Sequence, residues 1–471
     1  MNNSFRARAA KALGDEGLQK ALANVPGGFI VKRAKARAKL AEFDAVRDEA
    51  AAMKRHVLDN LHGYLAAFIE NAERAGAKVH LARTPEEANT IITGILKARG
   101  ARRVTKGKSM VSEEIELNAA LERAGLEVVE TDLGEYIIQL RGEKPSHIVA
   151  PAIHLSRKDI EPAFRKAHAA LPPERRLVEK TDFVNEARAV LREKFRSADA
   201  GITGANLLIA ESGSTVLVTN EGNGDLTASL PETHVVISSI DKIVPTREDA
   251  SLILRLLARS ATGQEITSYT SFFTGPRRDG DIDGPEEMHI VLLDNNRSEI
   301  LAGPFSDILR CIRCGACLNH CPVFGAVGGH AYGGVYPGPM GEVLSPALHG
   351  IGETSDMVDA CTMCGRCGEV CPMRIPLPML IRKWRFRAFE EGHGKPVVRY
   401  GLRAWAWLAR HPALYALTAS SGARLLKLLA AGRGAIRRLP GLSGWTSVRD
   451  LPAPEGRTFT GIFRKTRGRK S

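Results

Sequence analysis

The pattern of apolar and polar positions changes texture near residue 100. Residues 33–82 carry long Ala, Leu, Lys and Glu runs, such as VRDEAAAMKRHVLDNLHGYLAAFIENAERAG, and predict helix. Beyond residue 100, short β-branched runs alternate with helical ones. They predict strands at 102–107, 126–131, 147–152, 206–212, 215–220, 234–239 and 289–294, with helices at 112–125 and 247–261. Such alternation predicts an α/β domain with a largely parallel sheet.

Two later stretches follow neither rhythm. GGHAYGGVYPGPMG (328–341) is too rich in Gly, Pro and Tyr for a regular helix and predicts an ordered loop. The chain from there through about Asp359 can form helix. From Ile381 the pattern becomes cationic and aromatic, with Trp384, Trp405 and Trp407 among arginines. Amphipathic helices are expected, either lying at an interface or packed on the preceding module. Arg410 and His411 interrupt the apolar run, so it does not predict a bilayer span. The end, 463–471, is expected to be disordered.

Composition adds little and charge adds more. The chain has 471 residues, 44% apolar and 25% charged, which suits a globular protein of two to four domains. No apolar signal segment is legible near Met1. The expectation is a cytoplasmic chain, with peripheral attachment at the inner membrane as the variant. The net charge of +13 is uneven: residues 1–40 carry +7, residues 381–471 carry +16, and the middle carries −10. Basic ends suit a partner with an acidic surface or lipid headgroups. No nucleic-acid motif accompanies them, so no nucleic acid is expected.

The cysteines are the most specific signal. All eight fall in two blocks, CIRCGACLNHCP and CTMCGRCGEVCP. The first holds Cys311, Cys314, Cys317 and Cys321; the second holds Cys361, Cys364, Cys367 and Cys371. Each reads C-x2-C-x2-C-x3-C-P, the iron–sulfur run in which the fourth cysteine ligates the other cluster. Three thiolates two residues apart can wrap three irons, with Gly315 and Gly365 giving the loop room to turn. Two [4Fe–4S] clusters are therefore expected. One takes Cys311, Cys314, Cys317 and Cys371; the other takes Cys361, Cys364, Cys367 and Cys321. Disulfides would need an oxidising compartment, and zinc would leave the third cysteine of each block unexplained.

Two polar turns of the α/β region are candidate sites. TKGKSMVSEEI (105–115) places Lys106, Lys108 and Ser109 at a strand-to-helix turn suited to a carboxylate or phosphate. It is not a P-loop, because Arg102 stands where the first glycine belongs. The second, TGANLLIAESGSTVLVTNEGNGD (203–225), turns at Glu211, Ser212 and Ser214. Turn chemistry alone also accounts for it. There is no G-x-G-x-x-G, so a tightly bound dinucleotide is not expected.

Together these segments resemble the lactate utilization protein B (LutB/YkgF) family. TKGKSMVSEEIELN and AGITGANLLIAESGSTVLVTNEGNGDL look like its LUD domain. GVYPGPMGEVLSP and the cysteine blocks look like its ferredoxin module. The resemblance implies an isomerase/CoA-transferase-like three-layer α/β domain. An α-helical ferredoxin-like domain and a helical basic C-terminal segment would follow. The implied boundaries are a basic arm at 1–40, the LUD domain at 41–300, the cluster domain at 301–390 and the C-terminal segment at 391–471. It also implies an electron-transfer subunit, acting with lactate utilization proteins A and C to oxidise L-lactate to pyruvate. The alternatives are a subunit for another 2-hydroxy-acid or glycerol-3-phosphate dehydrogenase, or a redox- and metabolite-sensing scaffold.

Overall fold

Two strands of this chain, THVVISS and EMHIVLL, are almost wholly buried, with Val235, Val236 and Ile237 of the first and Ile290, Val291, Leu292 and Leu293 of the second as their apolar centres, as strands covered on both faces are. They form the middle of a parallel sheet. The structure is a computed structural model describing residues 4–394, 396–439, 446 and 448–467. The chain divides into two units, residues 1–388 and 389–471.

In chain order the strands of the first unit are β1 (Lys78–Ala82), β2 (Arg103–Lys106), β3 (Glu127–Glu130), β4 (Ala200–Gly204) and β5 (Leu207–Ile209). Then come β6 (Ser214–Thr219), β7 (Thr233–Ser239), β8 (Ile243–Val244), β9 (Tyr269–Phe273) and β10 (Glu287–Leu293). The main sheet runs β1-β10-β7-β4-β2-β3, and all its pairs are parallel. A smaller sheet runs β8-β5-β6-β9. Side chains alternate across the main sheet. Val291 and Leu293 pack with Ile92, Leu96 and Leu121 on one face, while Ile290 and Leu292 pack with Val57 and Phe68 on the other. Helices on both faces make three layers. In β4 a side chain at Gly201 would meet the Thr227 carbonyl at 1.7 Å, so only glycine lets the helix Asn223–Ser229 lie this close.

The sheet order reverses at β2. The chain steps outward to β3, then returns to β4 on the other side of β2. Such a reversal leaves a crevice at the carboxyl ends of the strands, where ligands of open α/β sheets bind.

Several expectations are corrected here. Residues 78–82 leave the helical stretch and form edge strand β1. The helix expected at 112–125 breaks at Glu116, whose φ is 50°, into Met110–Glu114 and Leu117–Arg123. Residues 147–152 are not a strand. The His147 Nδ1 accepts the Val149 and Ala150 N–H groups, each at 3.0 Å, which curls the segment into turns. Only Leu207–Ile209 of the 206–212 run is strand.

Residues 5–38 are largely helical and pack on the cysteine-bearing region. Gln19 donates to the Ala326 carbonyl at 2.9 Å, and Arg33 to the Val370 carbonyl at 2.8 Å. That region is built from short helices, including Gly338–His349, Ile351–Val358 and Leu377–Glu390. The loop expected across 328–341 ends early, because helix begins at Gly338.

The second unit holds the helices Pro396–Ala409 and Pro412–Leu429, which bury no residue, and a further helix Phe459–Arg467. The disorder expected over 463–471 is thus corrected for 463–467; residues 468–471 lie outside those described. Among the described residues, no helix is long and apolar enough to cross a membrane.

Candidate metal centres and an adjoining cavity

The cysteine blocks fold into two matching loops. Gly315 and Gly365, with φ of 73° and 85°, provide the left-handed turn before the third cysteine. Arg313 and Met363 occupy the equivalent left-handed position earlier in each loop, with φ of 56° and 57°. Their N–H groups donate to Cys311 Sγ and Cys361 Sγ, both at 3.4 Å. Both loops therefore turn a backbone donor toward the first sulfur.

The thiols gather in two pockets. Cys311, Cys314, Cys317 and Cys371 line one, against Ile148, Met340 and Leu377. Cys321, Cys361, Cys364 and Cys367 line the other, with Pro339 and Pro378. Each pocket draws three thiols from one block and the fourth from the other. Burial pushes the Cys314 and Cys367 thiols up to about 12 and that of Cys321 up to about 11. Left alone, such thiols keep their protons, so a strong Lewis acid must displace them. No group of three or more His, Cys, Asp or Glu among the described residues is placed to hold a single metal ion. A cube of irons spreads its four thiolates farther apart than one ion does, and this donor set fits it.

The surroundings of the two pockets differ. Beside the first lie buried guanidiniums: Arg47 donates to the Cys371 carbonyl at 2.6 Å and Arg310 to the Met373 carbonyl at 3.2 Å. Arg313 packs over the Tyr336 ring at 5.1 Å. Beside the second lies Glu342, fully buried next to the Cys361 thiol and with no other hydrogen-bond partner among the described residues. Burial pushes its carboxyl up to about 8, with Arg385 pulling the other way.

A buried polar network fastens the first pocket to the α/β domain. Arg297 holds Glu114 at 2.8 Å and Asp241 at 2.9 Å, and Tyr336 donates to Glu114 at 2.6 Å. Asp241 also faces Arg313 at 3.9 Å. His147 adds a second tie, pairing with Asn319 Oδ1 at 3.0 Å. Burial lowers the pKa of this imidazole to about 4, so it is neutral.

Next to the first pocket lies a cavity of about 370 Å³. It occupies the crevice at the carboxyl ends of β2, β3 and β4, and Ile148 and Cys314 line both spaces. Lys108 and Ser109 line the cavity, as their turn suggested. Lys108 donates to the Val149 carbonyl at 2.9 Å and stands 3.6 Å from Asp132. Ser109 caps the short helix Met110–Glu114, accepting from Ser112 N at 3.2 Å.

The other suggested residues sit elsewhere. Lys106 is wholly buried, 2.8 Å from Glu130 and 3.3 Å from Glu113, and those carboxylates raise its pKa despite burial. Its role is an internal ion pair. Ser212 and Ser214 hydrogen-bond each other at 2.8 Å in the β5–β6 turn, and Glu211 accepts from Arg247 N at 2.9 Å. None of the three lines the cavity. Lys242, Arg313, Asn206 and Asn223 do line it. Asn206 and Asn223 lie in the 203–225 segment that the sequence singled out, whereas Lys242 and Arg313 were missed, and the one usable signal was that Lys242 follows the end of the buried strand β7.

Comparison with known proteins agrees with this arrangement. The LUD domain matches residues 65–293 and the 4Fe-4S dicluster domain matches residues 307–375. The family "Lactate utilisation protein B, C-terminal" matches residues 390–468. The uncharacterized electron transport protein YkgF of Escherichia coli (strain K12) is 41% identical over 464 residues, covering 98% of this chain and 97% of its own. Lactate utilization protein B of Lysinibacillus sphaericus (strain C3-41) is 42% identical, covering 97% and 96%. That of Shouchella clausii (strain KSM-K16) is also 42% identical, covering 98% and 96%. A LUD α/β domain with a parallel sheet is thus followed by an iron–sulfur region, and the chain belongs to the lactate utilization protein B family.

Proposed function

We propose that this chain is the iron–sulfur electron-transfer subunit of a complex that oxidises L-lactate to pyruvate. The observation that carries the reading is the pair of four-thiol pockets behind a LUD domain. In this reading one [4Fe–4S] cluster is held by Cys311, Cys314, Cys317 and Cys371, and the other by Cys361, Cys364, Cys367 and Cys321. When bound, each supplies a one-electron carrier. Two such carriers match the two electrons that leave lactate, with two protons, as it becomes pyruvate. The chain's own part is to bury the thiolates, exclude water and set the charge around each site. The names of the relatives support lactate as the donor, and lactate utilization proteins A and C are the partners this reading assigns.

The test is anaerobic. The reconstituted chain is mixed with L-lactate, alone and with both partners, and followed by EPR. Reduced-cluster signals are expected with the partners present. Clusters that stay oxidised with both partners and L-lactate sink the reading. Clusters reduced instead by glycerol 3-phosphate or glycolate favour another dehydrogenase.

The second unit supports a docking role. Trp405 and Trp407 are each 58% exposed on a helix that also carries Arg399 and Arg403. Trp407 shares one helix stripe with Arg399 and Arg403 while Trp405 projects from the opposite side, and such a cationic, aromatic surface suits an acidic partner or anionic headgroups at the inner membrane. Trp405→Glu with Trp407→Glu is expected to abolish co-sedimentation with the partners or with anionic vesicles; retention of both sinks it.

A further inference from the structure

Lys242 stands out among the cavity's charged residues. It is 7% exposed, lines the cavity, and makes no hydrogen bond or close ion pair among the described residues, although its charge faces Asp241 and Cys311. Asp241, its neighbour, is taken by Arg297 at 2.9 Å. A buried ammonium without a partner is costly, and an anion in the same cavity relieves that cost. A second orphan lines the same space. Asn223 is 8% exposed, and its Oδ1 is buried with no partner among the described residues. It is an acceptor in want of a donor.

The charge balance narrows the ligand. Lys108 is already matched by Asp132. Glu221 adds a carboxyl at the exposed rim, where desolvation and Asp132 raise its pKa. Arg313 faces Asp241. Lys242 faces Asp241, which Arg297 and Arg313 share, and Cys311 of the first pocket, but it is the cavity cation that donates no hydrogen bond among the described residues, and a single ammonium suits a monoanion better than a phosphate dianion. Building on the lactate reading, we propose that this cavity binds a small 2-hydroxy monocarboxylate, with Lys242 meeting the carboxylate and Asn223 the hydroxyl. The same amide can turn its N–H to the carbonyl of the 2-oxo acid. The ligand then lies against Cys314, on the wall shared with the first cysteine pocket. The inference concerns binding only; the oxidation itself is left to the complex.

The test is calorimetry under anaerobic conditions on the full reconstituted chain. It uses four probes: L-lactate, pyruvate, propionate and inorganic phosphate. L-lactate and pyruvate are expected to bind. Propionate, lacking the hydroxyl, is expected to bind about tenfold more weakly or worse, because Asn223 stays unpaired. Lys242→Met is expected to weaken L-lactate about tenfold or more. It is also expected to leave the unliganded melting temperature unchanged or higher, since it removes an unmatched buried charge. Asn223→Leu is expected to weaken L-lactate while leaving propionate unaffected.

Four results overturn the proposal: no binding to the parent chain, phosphate binding as tightly as lactate, lactate binding unaffected by Lys242→Met, or a fall in melting temperature with that variant. If Lys242→Met shifts only the potential of the first cluster, Lys242 serves the cluster and the proposal fails. The two readings stay separable. Lactate binding without cluster reduction by the complex defeats the electron-transfer reading alone. Cluster reduction that persists in Lys242→Met, with calorimetric lactate binding lost, supports this proposal and places the lactate that is oxidised on a partner.

Discussion

The two cysteine pockets share one loop design and differ in the charge packed around it. Arg47, Arg310 and Arg313 are buried against the first. Glu342 is buried against the second, where Arg385 reaches the Cys361 carbonyl at 2.5 Å. Exposure differs as well. Cys314 and Cys371 of the first pocket are buried, whereas Cys364 of the second is exposed. A cluster ligated by four thiolates is anionic, and reduction adds another negative charge. Neighbouring cations favour that step and a neighbouring carboxylate opposes it. In the proposed two-cluster reading, the same sequence motif, used twice, would give one inward site that attracts an electron and one outward site that releases it more readily.

The largest effects should come from removing a ligand. Cys371→Ser is expected to cost about four irons per chain and the EPR signal of the first pocket. Cys321→Ser is expected to remove the signal of the second pocket instead. If each serine abolishes the cluster of its own block, the exchange of fourth ligands is wrong and the comparison must be redrawn.

Next in size is the support beneath the first pocket. Arg297→Leu strands Glu114 and Asp241 in the interior and is expected to cost about 3–5 kcal/mol in denaturant unfolding. A loss within experimental error would mean that this network does not fasten the pocket.

The pH dependence is smaller. His147 titrates near 6.5 when unfolded, but burial lowers it to about 4 in the fold. The unfolded chain therefore binds the proton more readily, and stability rises with pH. The contribution is complete above about 6.5 and is lost as pH falls toward 4, amounting to about 2 kcal/mol at pH 5. His147→Gln should flatten that part of the stability curve, and an unchanged slope would show the titration to lie elsewhere.

The smallest expected effect sharpens the comparison most. Arg313→Gln should lower the potential of the first cluster, and Glu342→Gln should raise that of the second, each by about tens of millivolts. Redox titration followed by EPR reads both shifts. Shifts of the opposite sign would dispose of the electrostatic account.

Chemistry that depends on spacing was legible in the chain, and chemistry that depends on packing was not. The cysteine blocks carry their ligand pattern within a dozen residues each, so they could be read directly. The strands β7 and β10, with their β-branched and apolar centres, and the helix Arg247–Ala261 were equally plain, because their patterns are local. Strand β4 escaped notice because AGITG lacks the bulk of a strand, its Gly201 being demanded by a helix 26 residues away at Thr227. The 147–152 segment looked like a strand because nothing local shows that His147 ties its own backbone into a turn. Lys106 and Lys108 are two residues apart and looked alike. The strand turns one into the interior, toward Glu130, and leaves the other at the crevice. Lys242, Asn223 and Glu342 matter only because of what surrounds them after folding.

The exchange of the fourth thiols also bears on how the protein is made. On the ribosome, Cys311, Cys314 and Cys317 emerge well before Cys371, the thiol that completes their pocket. The second pocket waits in the same way, holding Cys321 from the earlier block until its own three arrive. Neither site can close during early synthesis. Biogenesis should therefore deliver both metal centres late and together, to a chain whose two loops have already met.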